Sequence, residues 1–449
     1  YKRQTKEIIK MFKETSKELL DFLSKSPTAF HAVENYRQIL NADGFKELLE
    51  SEHWDIVPGG KYYVTRNNTS ILAFKVGTKL DNYSFNIVTS HTDSPTFKVK
   101  ENAEIEVKNK YTQLNTEGYG GMLCATWLDR PLSIAGRVLV SEGNSIVTKL
   151  LNIDRDLLMI PNVAIHMNRA ANDGFKYNLQ VDMLPLLSAG DDRQKDFKQI
   201  LADELGVKKE DILGHDLYLY NRMAPSIWGA NEEFISAGHL DDLQCGFASL
   251  KALLAGYNDE SIDIMACFDN EEVGSGTKQG ADSTLLRDTL IRINSALGKT
   301  EEDYHRALAS SFMLSADNAH AVHPNHPEHT DATNCTYMNE GVVVKSHAGQ
   351  KYTSDGVSMA VVKALASGAD VPLQYFANRS DKAGGSTLGN IAMAQASMNA
   401  VDIGLPQLAM HSSYETAGIK DTYYAISLMK ALFDSHIQET STHSLEIKR

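Results

Sequence analysis

Apolar residues recur at helical spacing near the start of the chain. Between about residues 5 and 50, Ile8, Ile9, Phe12, Leu19, Leu20 and Leu23 fall on one face, which predicts a packed amphipathic helix broken at Ser26-Pro27. Strand-like runs follow at 62–64, 70–76 and 85–90, the last leading into His91. From 97 to 220 the texture changes to strict alternation at 103–107, Gly-rich turns at 118–121 and short β-branched runs such as 137–140. This reads as a β-rich insert, within which the polar stretch 188–198 is expected to be a mobile loop or an exposed helix start. From about 235 onward, apolar strands including 261–268, 312–315 and 407–410 alternate with helical segments, the pattern of a parallel or mixed α/β sheet covered by helices. The expected organisation is a discontinuous domain of residues 1–96 and 235–449 around an insert of 97–234. No repeat of fixed period occurs, and the last dozen residues read as a solvated tail.

Bulk properties narrow the picture. At 449 residues the chain exceeds one ordinary core, and no apolar run approaches the ~18 residues of a membrane helix. A formal net charge of −14 argues against nucleic acid or an anionic membrane as the main partner. Cys124, Cys245, Cys267 and Cys335 are sparse and lack close pairing, which argues against a disulfide framework or zinc knuckle and fits a reducing, cytoplasmic location. The residues from Tyr1 to Lys6 do not read as a signal peptide.

Candidate chemistry lies where strands end. In Ser90-His91-Thr92-Asp93 the period of two puts His91 and Asp93 on one side, suiting a metal-ligating imidazole with a carboxylate that orients it. His239-Leu240-Asp241-Asp242 precedes a helical pattern, and helix capping competes with a metal role for its acids. Glu271 and Glu272 follow the run 262–268; adjacent carboxylates in a place that could be buried require compensating cations or protons, unless the loop is simply solvated. Asp317 and His320 follow 312–314, and His411 follows 407–410, so several strand ends can converge on one cleft. His320, His323, His326 and His329 recur every third residue, but Pro324 and Pro327 forbid an aligning helix, so an ordinary loop is expected beyond His320. The Gly-rich 117–121 lacks the Lys-Ser/Thr of a phosphate loop, and no serine or cysteine nucleophile signature occurs.

At these residues the sequence resembles the aspartyl aminopeptidase and vacuolar aminopeptidase I family of cocatalytic zinc peptidases. The match runs nearly end to end, through Ser26-Pro27, 90–95, 160–166, 269–275, 315–324 and 406–412. The resemblance implies a three-layer α/β/α metallopeptidase domain interrupted by a β-rich dimerisation domain, with dimers assembling into a homododecamer. It implies that Asp241 bridges two divalent ions, with His91 and Asp317 completing one coordination sphere and Glu272 and His411 the other. Glu271 would be the base, Asp93 the orienter of His91, and His320, Lys345 and Tyr352 substrate contacts. His166 would reach a neighbouring subunit's site; by its own context it reads as a satisfied core histidine. The sequence departs from the family at His239 and in part of 380–385, which bears on substrate preference.

Carboxylate and imidazole ligands without thiolate suit zinc, and also manganese or cobalt. The expected substrates are short peptides with a free N-terminus. Lys345 would attract an acidic N-terminal side chain, the alternatives being an aminopeptidase I-like preference for neutral residues such as Leu and a solvated lysine at a strand edge. A related metal-dependent deacylase and a non-catalytic assembly protein complete the alternatives.

Overall fold

In the computed structural model, which describes residues 2–190 and 196–449 and side chains from residue 7 onward, a nine-stranded mixed sheet is the spine. Its order is Lys46–Leu48, Lys61–Arg66, Ser70–Val76, Ser261–Phe268, Ser84–His91, Phe312–Ala316, Asn399–Gly404, Val342–Lys345, Leu373–Phe376. The strands from Ser261–Phe268 through Asn399–Gly404 are mutually parallel, so their carboxyl ends share one edge. Alternate residues feed opposite faces: Val88, Met265 and Leu314 join one core, Ile87, Ile264 and Met313 the other. Helices Lys2–Ser24, Ala29–Ala42, Leu240–Ala255, Gly356–Gly368 and Asp421–Phe433 cover the first face; Leu285–Ala296, Glu301–Ala309 and Leu388–Gln395 cover the second. The result is the expected three-layer α/β/α arrangement.

The first helix stops at Ser24, before Ser26-Pro27, as its pattern predicts. Its apolar face is only partly used. Phe12 meets Tyr423 and Tyr424 edge-on, whereas Ile8 and Ile9, one turn earlier, are 42% and 47% exposed. The chain's end also departs from expectation: His436–Ser441 and Ser444–Lys448 form a hairpin rather than a solvated tail, because Ile437 enters the core and Leu445 and Ile447 pack against it.

A five-stranded sheet, ordered Ser226–Trp228, Phe234–Ala237, Glu415–Gly418, Pro406–Leu408, Ala319–His320, lies beside the spine. The 407–410 run therefore belongs to this second sheet: the chain leaves the spine at Gly404, and Pro406 and Gln407 pair with Ala319 and His320.

The β-rich insert is a six-stranded sheet ordered Ser145–Asn152, Leu132–Glu142, Ile212–Asn221, Thr96–Val107, Tyr111–Tyr119, Leu186–Ala189. Phe97, Leu114, Trp127, Val138 and Leu217 belong to a core of its own. Its helix Phe197–Leu205 starts at Asp196, which accepts from Gln199 N, and stops at left-handed Gly206. Of the polar stretch 188–198, Ser188 is in a strand and Lys198 in this helix, while 191–195 lie outside the described residues, as does Tyr1 at the start of the chain. No helix among the described residues is long and apolar enough to cross a membrane, and all four cysteines are free.

One buried carboxyl ties the spine to pH. Asp263 accepts from Ser261 Oγ at 2.9 Å and Asn86 Nδ2 at 3.1 Å, yet burial outweighs these bonds and pushes its pKa up to about 8. Folded, the group keeps its proton until about pH 8; unfolded, it loses it near ~3.9. The unfolded chain thus binds fewer protons between these values, so this contribution is complete below about pH 4 and declines as pH rises to about 8. Asp263→Asn should flatten the fall in urea midpoint between about pH 5 and about pH 8. Equal slopes in variant and wild type would refute the assignment.

Candidate active site

Two sheets deliver the site residues. From the spine come His91, the last residue of its strand; Glu271 and Glu272, in the turn after Ser261–Phe268; and Asp317, directly after Phe312–Ala316. From the five-stranded sheet come Asp241, just beyond Phe234–Ala237, and His411, just beyond Pro406–Leu408. Asp241 and Asp242 have non-helical backbone angles at the head of Leu240–Ala255, His239 before them makes no side-chain cap bond, and Oδ1 of each acid accepts no hydrogen bond. Capping therefore does not explain these acids. Their carboxylates turn to histidines instead: Asp242 Oδ2 accepts from His91 N at 3.2 Å, and Asp241 faces two imidazoles.

The two imidazoles approach Asp241 symmetrically. His91 Nε2 lies 3.4 Å from Asp241 Oδ1, and His411 Nε2 lies 3.5 Å from Asp241 Oδ2 and 3.3 Å from Glu272 Oε2. Each ring donates through Nδ1 to a main-chain carbonyl, His91 to Asp93 at 3.0 Å and His411 to Gly121 at 2.7 Å. In the neutral rings, that bond leaves the Nε2 lone pairs directed at carboxylate oxygens. With the rings neutral, two acceptors face one another in each case, which becomes favourable when a proton on Nε2 or a shared cation lies between them. Ligands held at ~2.0–2.1 Å around a tetrahedral zinc ion stand about 3.3 Å apart, which these spacings match.

Ligand atoms of His91, Asp241 and Asp317 lie within 4.8 Å of one another, as do those of Asp241, Glu272 and His411, and those of His91, Glu271 and Glu272. Asp241 is common to the first two groups. Asp241 Oδ1 and Glu272 Oε1 are buried without a hydrogen bond, a costly state unless an ion takes them up. The residues thus fit divalent metal binding.

Electrostatics point the same way. Burial pushes Glu271 up to about 8 and Asp317 to about 6, and it raises Glu272 well above its ordinary value with Asp241 adding to it. Burial opposes ionisation of Asp241 too, but the imidazoles of His411 and His91 beside its carboxylate prevail and hold its pKa low. For His91, burial favours the neutral ring, yet Asp241 and Asp93 outweigh it and raise the pKa well above 6.5. Acids crowded this closely hold protons in place of a cation.

A cavity of about 230 Å³ opens over this cluster and is lined also by His320, Lys345, Tyr352, Phe376 and Met410. Lys345 is 3% exposed rather than a solvated strand-edge lysine. Its Nζ donates to Asn318 O at 2.9 Å, lies 3.8 Å from Asp317 Oδ1, and stands 5.6 Å from the centre of the Tyr352 ring. His166 does not join the cluster. It is exposed, in a loop where Val163, Ile165 and Met167 are 54%, 46% and 84% exposed, so the core-histidine reading of its context fails. His326, Glu328 and His329 form an exposed group on a turn that does not line the cavity.

Some supporting residues carried no sequence signal. Glu415, 2% exposed, accepts from Asp241 N at 3.0 Å and from His411 N at 2.9 Å, and so aligns two segments of the five-stranded sheet. Asn318 Nδ2 donates to Leu240 O and Gln407 Oε1. Burial in the assembled site is what distinguishes these groups from ordinary surface polar residues.

Known proteins resemble this chain along most of its length. The aminopeptidase I zinc metalloprotease (M18) family matches residues 22–433. A probable M18 family aminopeptidase 2 of Clostridium novyi is 48% identical over 423 residues, covering 93% of this chain and 98% of the relative. The solved structure of Ape4 in complex with Nbr1 is 35% identical, covers 94% of this chain and 86% of that one, and superposes with a TM-score of 0.91. The S. cerevisiae mApe1 dodecamer is 28% identical, covers 94% of this chain and 97% of that one, and has a TM-score of 0.82.

Proposed function

The chain belongs to the aminopeptidase I (M18) family of zinc metalloproteases and is a metallo-aminopeptidase; on that premise we propose a dinuclear centre that removes the N-terminal residue of short peptides. The deacylase and assembly-protein alternatives fall with this membership. The observation that carries the reading is Asp241, whose two oxygens each face a different imidazole Nε2. Asp241 would bridge two divalent ions, His91 and Asp317 holding one and Glu272 and His411 the other. Zinc is the preferred metal; manganese and cobalt suit the same donors. When bound, such a pair polarises a scissile carbonyl and lowers the pKa of water towards about 7.

Glu271 is the proposed base. It lines the cavity beside His91 and Glu272, and its main-chain N–H donates to Asp93 Oδ1 at 3.1 Å, which fixes the root of the side chain. In the reaction it takes a proton from the attacking water and returns it to the leaving amine. Asp93, 3.4 Å from His91 Nδ1, keeps that ring oriented.

For specificity we favour an acidic N-terminal residue, because Lys345 brings a buried positive charge to the cavity wall. The competing neutral preference has its own support: Lys345 already bonds Asn318 O and stands near Asp317, while Phe376 and Met410 offer apolar wall. The six-stranded insert is the proposed dimerisation unit of a dodecamer such as mApe1 forms, and its exposed 163–167 loop would carry His166 to a neighbouring copy's cavity. Because Ser226–Trp228 pairs into the five-stranded sheet, we place the insert's second boundary close to Asn221, earlier than residue 234.

Glu271→Gln should keep its metal, measured by elemental analysis, while kcat falls about 10²–10⁴-fold; retained turnover would remove Glu271 from the role of base. Rates on Asp-, Glu- and Leu-anilides under zinc, manganese and cobalt should favour the acidic residues and lose that bias in Lys345→Ala. A Leu preference that survives this substitution would sink the assignment. His166→Ala should lower kcat/KM about tenfold, the loss of one hydrogen bond, with the sedimentation coefficient unchanged. Full activity in that variant would leave the histidine without a catalytic partner subunit.

A further inference from the structure

The segment that leaves the insert's sheet at Tyr119 runs against the metal-ligand cluster of its own chain. Tyr119 Oη donates to Asp93 Oδ2 at 2.7 Å and accepts from Asn270 Nδ2 at 2.8 Å. The oxygens of Asp93 also receive the main-chain N–H groups of Glu271 at 3.1 Å and Glu272 at 3.2 Å. One carboxylate therefore links the orientation of His91 to the turn that carries both glutamates. Gly120 passes so close that a Cβ there would lie 3.1 Å from Glu272 Cβ, and its φ of +73° suits glycine. Gly121 O accepts from His411 Nδ1 at 2.7 Å, and Leu123 N donates to His411 O at 3.0 Å.

We propose that Tyr119 is a positioning residue for the metal centre, and that through residues 119–123 the β-rich insert completes the catalytic site of its own chain. The inference rests on the metal-ligand reading given above. Burial, then the charge of Asp93, keeps the Tyr119 hydroxyl protonated far beyond neutral pH, so it remains a donor. Its place is determined from both sides. The ring packs edge-on against Tyr218 at 5.7 Å between centroids, and the amide of Asn270 is oriented because its Oδ1 already accepts from Thr277 Oγ1 and Gln279 Nε2, each at 2.8 Å. Asn270 sits at φ 62°, a left-handed conformation that asparagine tolerates. Without the phenol, Asp93 keeps the N–H groups of Glu271 and Glu272 but loses the donor that comes from the insert, and its carboxylate is held less firmly against His91.

The test uses Tyr119→Phe and Asn270→Gly in the full-length zinc-loaded enzyme. Glycine retains the left-handed backbone, so the second variant removes the hydrogen bonds without straining the turn. Three readouts are needed: kcat and KM on the preferred aminoacyl anilide, zinc retention against a chelator, and the thermal midpoint. Positioning predicts kcat lower by about 10–100-fold, zinc lost at roughly tenfold lower chelator concentration, and KM within about twofold of wild type. A bond that merely staples the insert to the spine predicts a lower midpoint with kcat and zinc retention of the folded protein unchanged, and that outcome overturns the proposal. Wild-type behaviour of both variants overturns it as well. Should the wild type cleave no unblocked anilide, the reading of its activity fails, while zinc retention still decides the role of Tyr119.

Discussion

A buried carboxylate with an imidazole lone pair at each oxygen requires a proton or a cation in each gap, and this constraint at Asp241 organises the rest of the structure. The spacings of 3.4 Å and 3.5 Å leave room for an ion or a proton and for nothing larger. The acids around Asp241 share the need, since Glu271 and Asp317 rise to about 8 and about 6 when only protons are present to compensate them. The neighbouring hydrogen bonds all hold these groups still. Glu415 takes the N–H groups of Asp241 and His411, Asp242 takes that of His91, and Asp93 takes those of Glu271 and Glu272. Fixed carbonyls at Asp93 and Gly121 set the tautomer of each histidine.

Convergence of two sheets meets this constraint. Parallel strands of the spine deliver His91, the glutamate pair and Asp317 from one edge, and the five-stranded sheet brings Asp241 and His411 from the side. A carboxylate from one source can then sit between imidazoles from both. Neither sheet holds the whole set, so the cluster, and with it the proposed dinuclear centre, depends on how the sheets pack. The insert adds a third source, because residues 119–123 reach back to Asp93, Glu272 and His411.

Strand-end positions were the most legible part of the sequence. His91, Glu271, Glu272 and Asp317 could be named as candidates because each follows an apolar run whose period identifies a strand, and strand termini are where such sheets build sites. The same logic placed His411 after a strand but assigned that strand to the wrong sheet, since a three-residue run carries no information about its pairing partner. Asp241 stayed ambiguous between a helix cap and a ligand because both roles use the same residue in the same local pattern; only backbone angles and distant histidines separate them.

The sequence by itself determined the element types, the β-rich insert, the chemical class of the site and the family to which the chain belongs. All of these rest on local periodicity or on runs of contiguous residues. The tertiary structure alone decided that Asp241 lies between two imidazoles, that Lys345 is buried beside Asp317, that His166 is exposed and that the C-terminal residues pair as a hairpin. Glu415 and Tyr119 belong with these. Burial and contact between residues far apart in sequence arise from packing, and packing leaves no periodic mark on the chain.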